Sequence, residues 1–401
     1  MTHDADVIVV GGGLIGPAAA LALAEAGLRA LLVDALPVEV RADPEFDGRA
    51  YNVSLASRRF LEVVGVWPEV AAEAQPVRAV ALEGSGPLAH FEHAELDAGP
   101  AGMILEDRFL RRALLARLAA HPRVTARAPV RVVDTRLGDV AAEVETEAGE
   151  VLRAPLLVAC DGRDSPVAAR AGIRRTGWGY DQTGMVCAVE HEADHEGVAR
   201  QKFLPGGPFA VLPLPGRRSS IVWTERTVEA ERIAALPDDL YLAEVASRLG
   251  GVLGALRLVG KRWKYPLRLS LAQDWVRPRL ALAGDAAHSV HPIAGQGLNL
   301  GLRDTAALAE VVAEAKRRGE DWGAEAVLTR YQQWRRFDAV TLALGMDAVN
   351  RLFSNDNAAL RTIREAGMRL AAAAGPARRA FMSEAAGLSG ELPRMLQGRP
   401  V

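Results

Sequence analysis

Residues 7–24 read VIVVGGGLIGPAAALALA, 18 uncharged and mostly apolar residues in a row. That length reaches the lower edge for a membrane-spanning helix. Three adjacent glycines and Pro17 interrupt it, and the stretch divides into a buried strand from Asp6 to Val10, a tight turn, and a helix with proline in its first turn. Gly11, Gly13 and Gly16 occupy the three positions of G-x-G-x-x-G between that strand and that helix. Glycine there permits the turn, close approach of the backbone to a pyrophosphate, and tight packing of helix on sheet, while the helix start offers free N–H groups to phosphate. A second strand, Leu28 to Val33, ends at Asp34, 18 residues after Gly16, where an acid accepts hydrogen bonds from a ribose. Strand, glycines, helix, strand and acid in this order predict a dinucleotide site. The fingerprint alone does not separate FAD from NAD.

The composition sets the frame for this site. With 401 residues, 49% hydrophobic and 24% charged, the chain is globular and long enough for two or three structural regions. A formal net charge of -2 provides no general attraction to nucleic acid or anionic lipid, and no nucleic-acid partner is expected. Two cysteines, Cys160 and Cys187, and a start without a cleavable signal pattern point to a reduced, cytoplasmic setting. Both cysteines read as small core residues.

Two further strands end as the second one does. LLVACDGRDSPVAARAGI (156–173) runs into Asp161-Gly162, and LALAGDAAH (280–288) runs into Gly284-Asp285. Ligands of open α/β sheets bind at such strand ends. Beyond Gly284 the chain continues GDAAHSVHPIAGQGLNLGLRD, in which Asp285, His288 and His291 also admit a metal reading. No third ligand stands at matching spacing, and no metal is predicted. Gly295 and Gly297 leave instead a loop without side-chain bulk, against which a flat ring could lie. The apolar run from Leu298 reads as a helix whose positive end faces that ring and stabilises negative charge on it.

Together these motifs resemble the single-component FAD-dependent aromatic hydroxylases of the para-hydroxybenzoate hydroxylase type, and among them the ubiquinone-biosynthesis hydroxylase family. The stretches HPIAGQGLNLGLRD, GRAYNVSLASRRFLEVVGVW (48–67), FLPGGPFAVLPL (203–214), SIVWTE (220–225) and YQQWRRFDAVTLALGMDAVNRLF (331–353) carry the resemblance over nearly the whole chain. It implies an α/β fold: an FAD-binding Rossmann-like domain with an inserted mixed β-sheet substrate domain and C-terminal helices. It also implies that Asp285 binds the ribityl chain, that Pro292, Gly295, Gln296, Gly297, Leu298 and Asn299 surround the isoalloxazine, and that Arg49 lies near the pyrophosphate. No side-chain acid or base is assigned. Two departures stand out: Ala168 occupies the place of a family arginine three residues after Ser165, and Glu106-Asp107-Arg108 replaces a Glu-Asn pair. Arg108 remains a weaker candidate cofactor contact.

The implied activity is hydroxylation of the aromatic ring of a polyprenylated phenol through a flavin C4a-hydroperoxide. O₂ is the co-substrate, and NAD(P)H or a protein electron donor the reductant. No second glycine fingerprint follows a strand, so no separate nicotinamide domain is expected. No hydrolytic Ser-His-Asp, Cys-His or H-E-x-x-H arrangement is present. Three alternatives stay open: a flavin-dependent halogenase, against which the missing W-x-W-x-I-P string counts; a hydroxylase of a soluble aromatic metabolite; and a non-catalytic FAD-binding subunit of a biosynthetic complex. A ubiquinone-biosynthesis complex and a peripheral contact with the inner face of the cell membrane are the expected partners.

The organisation follows from the motif spacing. Residues 1–75, 100–180 and 266–325 are expected to form a discontinuous FAD-binding domain, 76–99 and 181–265 a β-sheet substrate domain, and 326–401 a helical region. Short β runs, GMVCAVE, ARQKFLP, FAVLPL and SSIVWTE, build the sheet, and helical patterns cover 325–353 and 358–385. EHEADHE (190–196) reads as a solvated loop between strands, and His90 and His93 fall in another irregular stretch.

Overall fold

The expected glycine-fingerprint strand, Val7–Val10, lies fully buried inside a six-stranded sheet of the computed structural model, which describes residues 3–84, 86–92, 99–355 and 358–401. The sheet order is Val276–Arg277, Leu280–Leu282, Leu156–Ala159, Val7–Val10, Ala30–Val33 and Val124–Arg127. All neighbours are parallel except the first pair. Strands buried on both faces read as continuous apolar runs, which is why VIVV, ALLV and LLVA carry no polar alternation. Helix Ile15–Glu25 and the long helix Gln296–Arg317 pack against each other in the same core.

The second large sheet has eight strands, ordered His288–Ser289, Leu256–Ala272, Arg175–His191, Arg218–Arg226, Gly207–Leu214, Val198–Leu204, Ala79–Glu83 and Pro87–Glu92. All four short β runs fall within its strands. Two of its members are 17 residues long, and positions 180/181 and 265/266, the expected domain borders, lie inside them. The chain therefore passes between the two halves as continuous strand. Helices Thr227–Ala234 and Asp238–Leu249 cover one face of this sheet, burying Phe209, Trp223, Ile233 and Tyr241.

Helix Glu325–Phe353 spans the expected range, while 358–385 is two helices, Ala358–Ala373 and Gly375–Ala385. Pro376 lies in the first turn of the second, where its missing N–H is tolerated. The EHEADHE connection does link two strands, but its histidines are not solvated. His191 bonds Ala193 O and Ser219 Oγ, and His195 bonds Leu214 O, so both are buried. Burial of a polar ring is tolerated because each nitrogen finds a partner. Cys160 and Cys187 are buried in the core. His90 is exposed and pairs with Glu92, and His93 lies outside the described residues.

Candidate functional site

Strand register brings the sequence-distant motifs to one sheet edge. Val10 is level with Ala159 and Val33, and Ala159 with Leu282. Gly11, Asp34, Asp161 and Gly284-Asp285 thus all follow the carboxyl ends of adjacent parallel strands, the ligand edge of such sheets. The ladder continues one step beyond the strands: Gly11 N–H donates to Val33 O (2.9 Å), Cys160 N–H to Val10 O (2.8 Å) and Ala283 N–H to Ala159 O (3.0 Å).

The fingerprint glycines serve different ends. Gly11 has φ +114°, and a Cβ there would overlap the Cys160 carbonyl; a Cβ at Gly16 would overlap the Gly11 carbonyl. These two are demanded by the protein itself. Around the Cβ position of Gly13 there is no protein atom within 4 Å, and its φ is not left-handed, so neither packing nor conformation calls for glycine. The same is true of Gly297. Two cradles that only a Cβ would fill, one at the helix start beside the phosphate position and one in the ring loop, fit a bound dinucleotide such as FAD.

Asp34 is buried and held by Arg41 through two bonds, Nε to Oδ2 at 2.6 Å and Nη2 to Oδ1 at 3.0 Å. A ribose reaching Asp34 must share the carboxylate with this guanidinium or displace it. Asp161 accepts from Val167 N–H (3.1 Å) through Oδ2, while its buried Oδ1 has no partner. Burial pushes its carboxyl above the ordinary range, against the pull of Ser165 and backbone N–H groups. Ser165 caps the helix Pro166–Arg170 by accepting from Ala168 N–H (3.0 Å). Ala168, which stands where the resemblance implies an arginine, is buried.

Asp285 is an exposed residue, and desolvation by the protein around it raises its pKa, offset by His288, Arg163 and Arg175. Its backbone is fixed by Arg175, a residue the motif reading missed. The Arg175 guanidinium donates to Ala286 O, to Asp285 O (3.2 Å) and to Ser270 O (3.1 Å), and Nε donates to Ser270 Oγ (2.7 Å). No local pattern marks Arg175, because its partners lie about a hundred residues away.

His288 belongs to a buried polar chain rather than to a metal site. Its Nε2 lies 2.5 Å from Asp304 Oδ2, which also accepts from Gly284 N–H (3.1 Å), while Asp304 Oδ1 accepts from Arg335 Nε (3.1 Å). Asp304 and Arg335 are fully buried. Burial alone would raise the Asp304 pKa, but His288 and Arg335 outweigh it and hold the carboxyl below the usual range. Among the described residues no group of three His, Cys, Asp or Glu side chains could hold a metal ion.

The ring loop is tied down by Asn299, whose Oδ1 accepts from Ser54 N–H (3.0 Å) and whose Nδ2 donates to Asn52 O (2.9 Å) and Gly295 O (3.3 Å). Its side chain is engaged within the protein, so any ligand contact falls to its backbone. Gly295, with φ +62°, turns the chain into helix Gln296–Arg317, and Gln296 and Leu298 are buried in its first turn. Pro292 begins the turn that leads there. Gly301 lets the helix approach closely, since a Cβ there would sit 2.5 Å from Ile15 Cδ1.

The two basic candidates are both paired. Arg49 lies between Asp47 (2.5 Å) and Asp107 (3.4 Å), which raise its pKa despite its partial burial, and its guanidinium remains 44% exposed. Arg108 bonds Glu106 (2.7 Å) and Pro44 O (3.0 Å) and lies over Phe46 and Phe109.

A mixed α/β architecture with a nucleotide sheet, a second sheet and C-terminal helices is the para-hydroxybenzoate hydroxylase-like fold. In structure the chain is similar to p-nitrophenol 4-monooxygenase PnpA from Pseudomonas putida, with a TM-score of 0.79, 22% identity, and coverage of 98% of this chain and 100% of that one. The chain belongs to the FAD-binding-domain family, whose model matches residues 4–342. It is 43% identical to the ubiquinone hydroxylase UbiL of Rhodospirillum rubrum, over 99% of this chain and 94% of the relative. It is 36% identical to the 3-demethoxyubiquinol 3-hydroxylase of Escherichia coli, over 96% and 98%.

Proposed function

We propose that this chain is an FAD-dependent monooxygenase that hydroxylates the aromatic ring of a polyprenylated phenol in ubiquinone biosynthesis. The observation that carries the reading is that a Cβ at Gly13 or Gly297 would meet no protein atom within 4 Å, in a chain 43% identical almost end to end to a ubiquinone hydroxylase. Bound FAD would supply the electrons that activate O₂, drawn from NAD(P)H or a protein donor. Gly11, Gly13 and Gly16 with the start of helix Ile15–Glu25 would hold the pyrophosphate, Asp34 the ribose and Asp285 the ribityl chain. Pro292, Gly295, Gln296, Gly297, Leu298 and Asn299 would border the ring, with the start of helix Gln296–Arg317 stabilising negative charge on it. Arg49 would lie near the pyrophosphate, and Asp161 would assist at the same edge.

In this reading 1–75, 100–180 and 266–325 serve FAD, 76–99 and 181–265 close the substrate side and keep water out, and 326–401 completes the fold. Among the described residues no helix is long and apolar enough to cross a membrane. Exposed Phe337, Leu344, Leu352, Leu370 and Phe381 on the C-terminal helices support a peripheral membrane contact for a lipid-borne substrate. A place in a ubiquinone-biosynthesis complex follows from the same substrate.

Reaction under ¹⁸O₂ with a prenylated phenol and NAD(P)H tests the proposal. Label in the new hydroxyl, and restored growth of a ubiquinone-deficient hydroxylase mutant, are the expected results. A hydroxyl derived from water would overturn it.

A further inference from the structure

The step from His288 to Pro292 carries a second histidine that the polar chain above does not use. His291 is 1% exposed. Its Nδ1 accepts the Ile293 N–H at 3.3 Å, so the neutral ring carries its proton on Nε2, and Nε2 is buried with no partner. The ring packs edge-on against Tyr180 at 5.1 Å between centroids. Tyr180 belongs to the 17-residue strand Arg175–His191, and its hydroxyl is also buried without a hydrogen-bond partner.

Asp347, on helix Glu325–Phe353, is the acid near both groups, but it is otherwise engaged. It accepts from Trp178 Nε1 (3.0 Å) and from Arg351 Nε (2.9 Å), and it stands close to the Tyr180 hydroxyl outside hydrogen-bond geometry. Burial, slightly opposed by Asp347, lowers the His291 pKa to about 4, and burial with Asp347 raises that of Tyr180. His291 is therefore a neutral N–H donor and Tyr180 a neutral hydroxyl at physiological pH.

A buried donor left without an acceptor costs about 1–3 kcal/mol, and native proteins keep few of them. Here two unpartnered polar groups come from different elements and meet where the ring loop, the second sheet and the C-terminal helix converge. We propose that the His291 Nε2–H, seconded by the Tyr180 hydroxyl, is the hydrogen-bond donor to the phenolic oxygen of the substrate ring. The pair selects a hydroxylated ring over its deoxy counterpart. This rests on the proposed hydroxylase activity, since it names the group by which that activity recognises its substrate. A site that hydrogen-bonds a substrate hydroxyl rejects the analogue lacking it, because its own polar groups are then left unpaired.

The test is equilibrium binding to the FAD-loaded, oxidised protein without reductant, followed by flavin absorbance and fluorescence, with para-butylphenol and butylbenzene as probes. Wild type is expected to favour the phenol by about tenfold or more. His291→Leu and Tyr180→Phe should each bring the two affinities together by several-fold, and His291→Gln, which returns an N–H near Nε2, should restore much of the preference. FAD content and thermal midpoint, read in every variant, separate a lost donor from a damaged fold. Undiminished preference in folded, FAD-replete His291→Leu and Tyr180→Phe overturns the assignment while leaving the hydroxylase reading intact. Wild-type protein that loads FAD but binds neither prenylated phenol nor para-butylphenol overturns both.

Discussion

The turn at Gly11–Gly16 and the loop from Gly284 to Asp304 meet at one sheet edge, yet they are held in place by different means. The turn is held by backbone sterics: Gly16 answers to the Gly11 carbonyl five residues earlier, and Gly11 to the Cys160 carbonyl at the end of the neighbouring strand. The loop is assembled from afar. Arg175 holds its backbone at Ala286, Arg335 and Asp304 hold Gly284, and Ser54 and Asn52 hold Asn299. A local device tolerates changes elsewhere in the chain, whereas a remote clamp ties the ring loop to the packing of the second sheet and the helix Glu325–Phe353. Within each region, one glycine (Gly13 or Gly297) has no protein neighbour, and there ligand and fold separate.

The largest expected effect contrasts two glycines three residues apart. Gly16→Val should abolish soluble, folded protein, because its side chain would occupy the Gly11 carbonyl, an overlap no rotamer relieves. Gly13→Val should fold with a thermal midpoint close to that of FAD-free wild type and yet lose FAD, read as flavin absorbance per chain. Full FAD occupancy in Gly13→Val would remove the distinction between packing and ligand glycines.

The remote clamp should break next. Asp304→Ala leaves the Arg335 charge buried and the Gly284 N–H unpaired, and removing one partner of such a pair costs about 3–5 kcal/mol. Denaturant unfolding should register a loss of that order, with FAD release at lower denaturant than unfolding. A loss below about 1 kcal/mol would mean that the loop does not depend on its distant anchors.

Acid should act on the loop through His291. Its folded-state pKa of about 4 lies below the ordinary 6.5. Between those values the unfolded chain takes up the proton first, so native stability falls as pH drops from 6.5 toward 4. The full loss approaches ~3 kcal/mol. His291→Gln should show a shallower decline over this window in denaturant titrations at several pH values, and parallel declines would contradict a neutral buried ring.

The smallest effect belongs to a local feature. Ser165→Ala removes the cap at Ala168 N–H and should lower stability by about 1 kcal/mol. A loss of several kcal/mol would instead place the Asp161-Gly162 turn among the remotely clamped elements.

Much of the site was legible wherever one element or two neighbours specify it. The glycine turn, the acids after three strands, the short β runs and the helix over 325–353 follow from periodicity and breakers, which act over a few residues. The glycines of the ring loop were legible in the same way, though the pattern did not tell a glycine packed by protein from one left open. Side-chain partnership was not legible. Arg175 on Ser270 and the burial of His191 and His195 depend on which surfaces the chain brings together.

Residue spacing alone specified the strand, turn, helix and strand at the chain's start, the glycines and acids at the carboxyl ends of adjacent parallel strands, and the family to which the chain belongs. Those are set by backbone sterics and short-range hydrogen bonding, which leave their mark in residue spacing. Packing alone settled that Asp304 takes His288 and Arg335 as its partners, that Arg175 fixes the Asp285 turn, and that His291 Nε2 and the Tyr180 hydroxyl are buried without partners. The groups involved stand 16 to 110 residues apart in the chain, and the partner of a buried polar group is settled by packing, which no local spacing records.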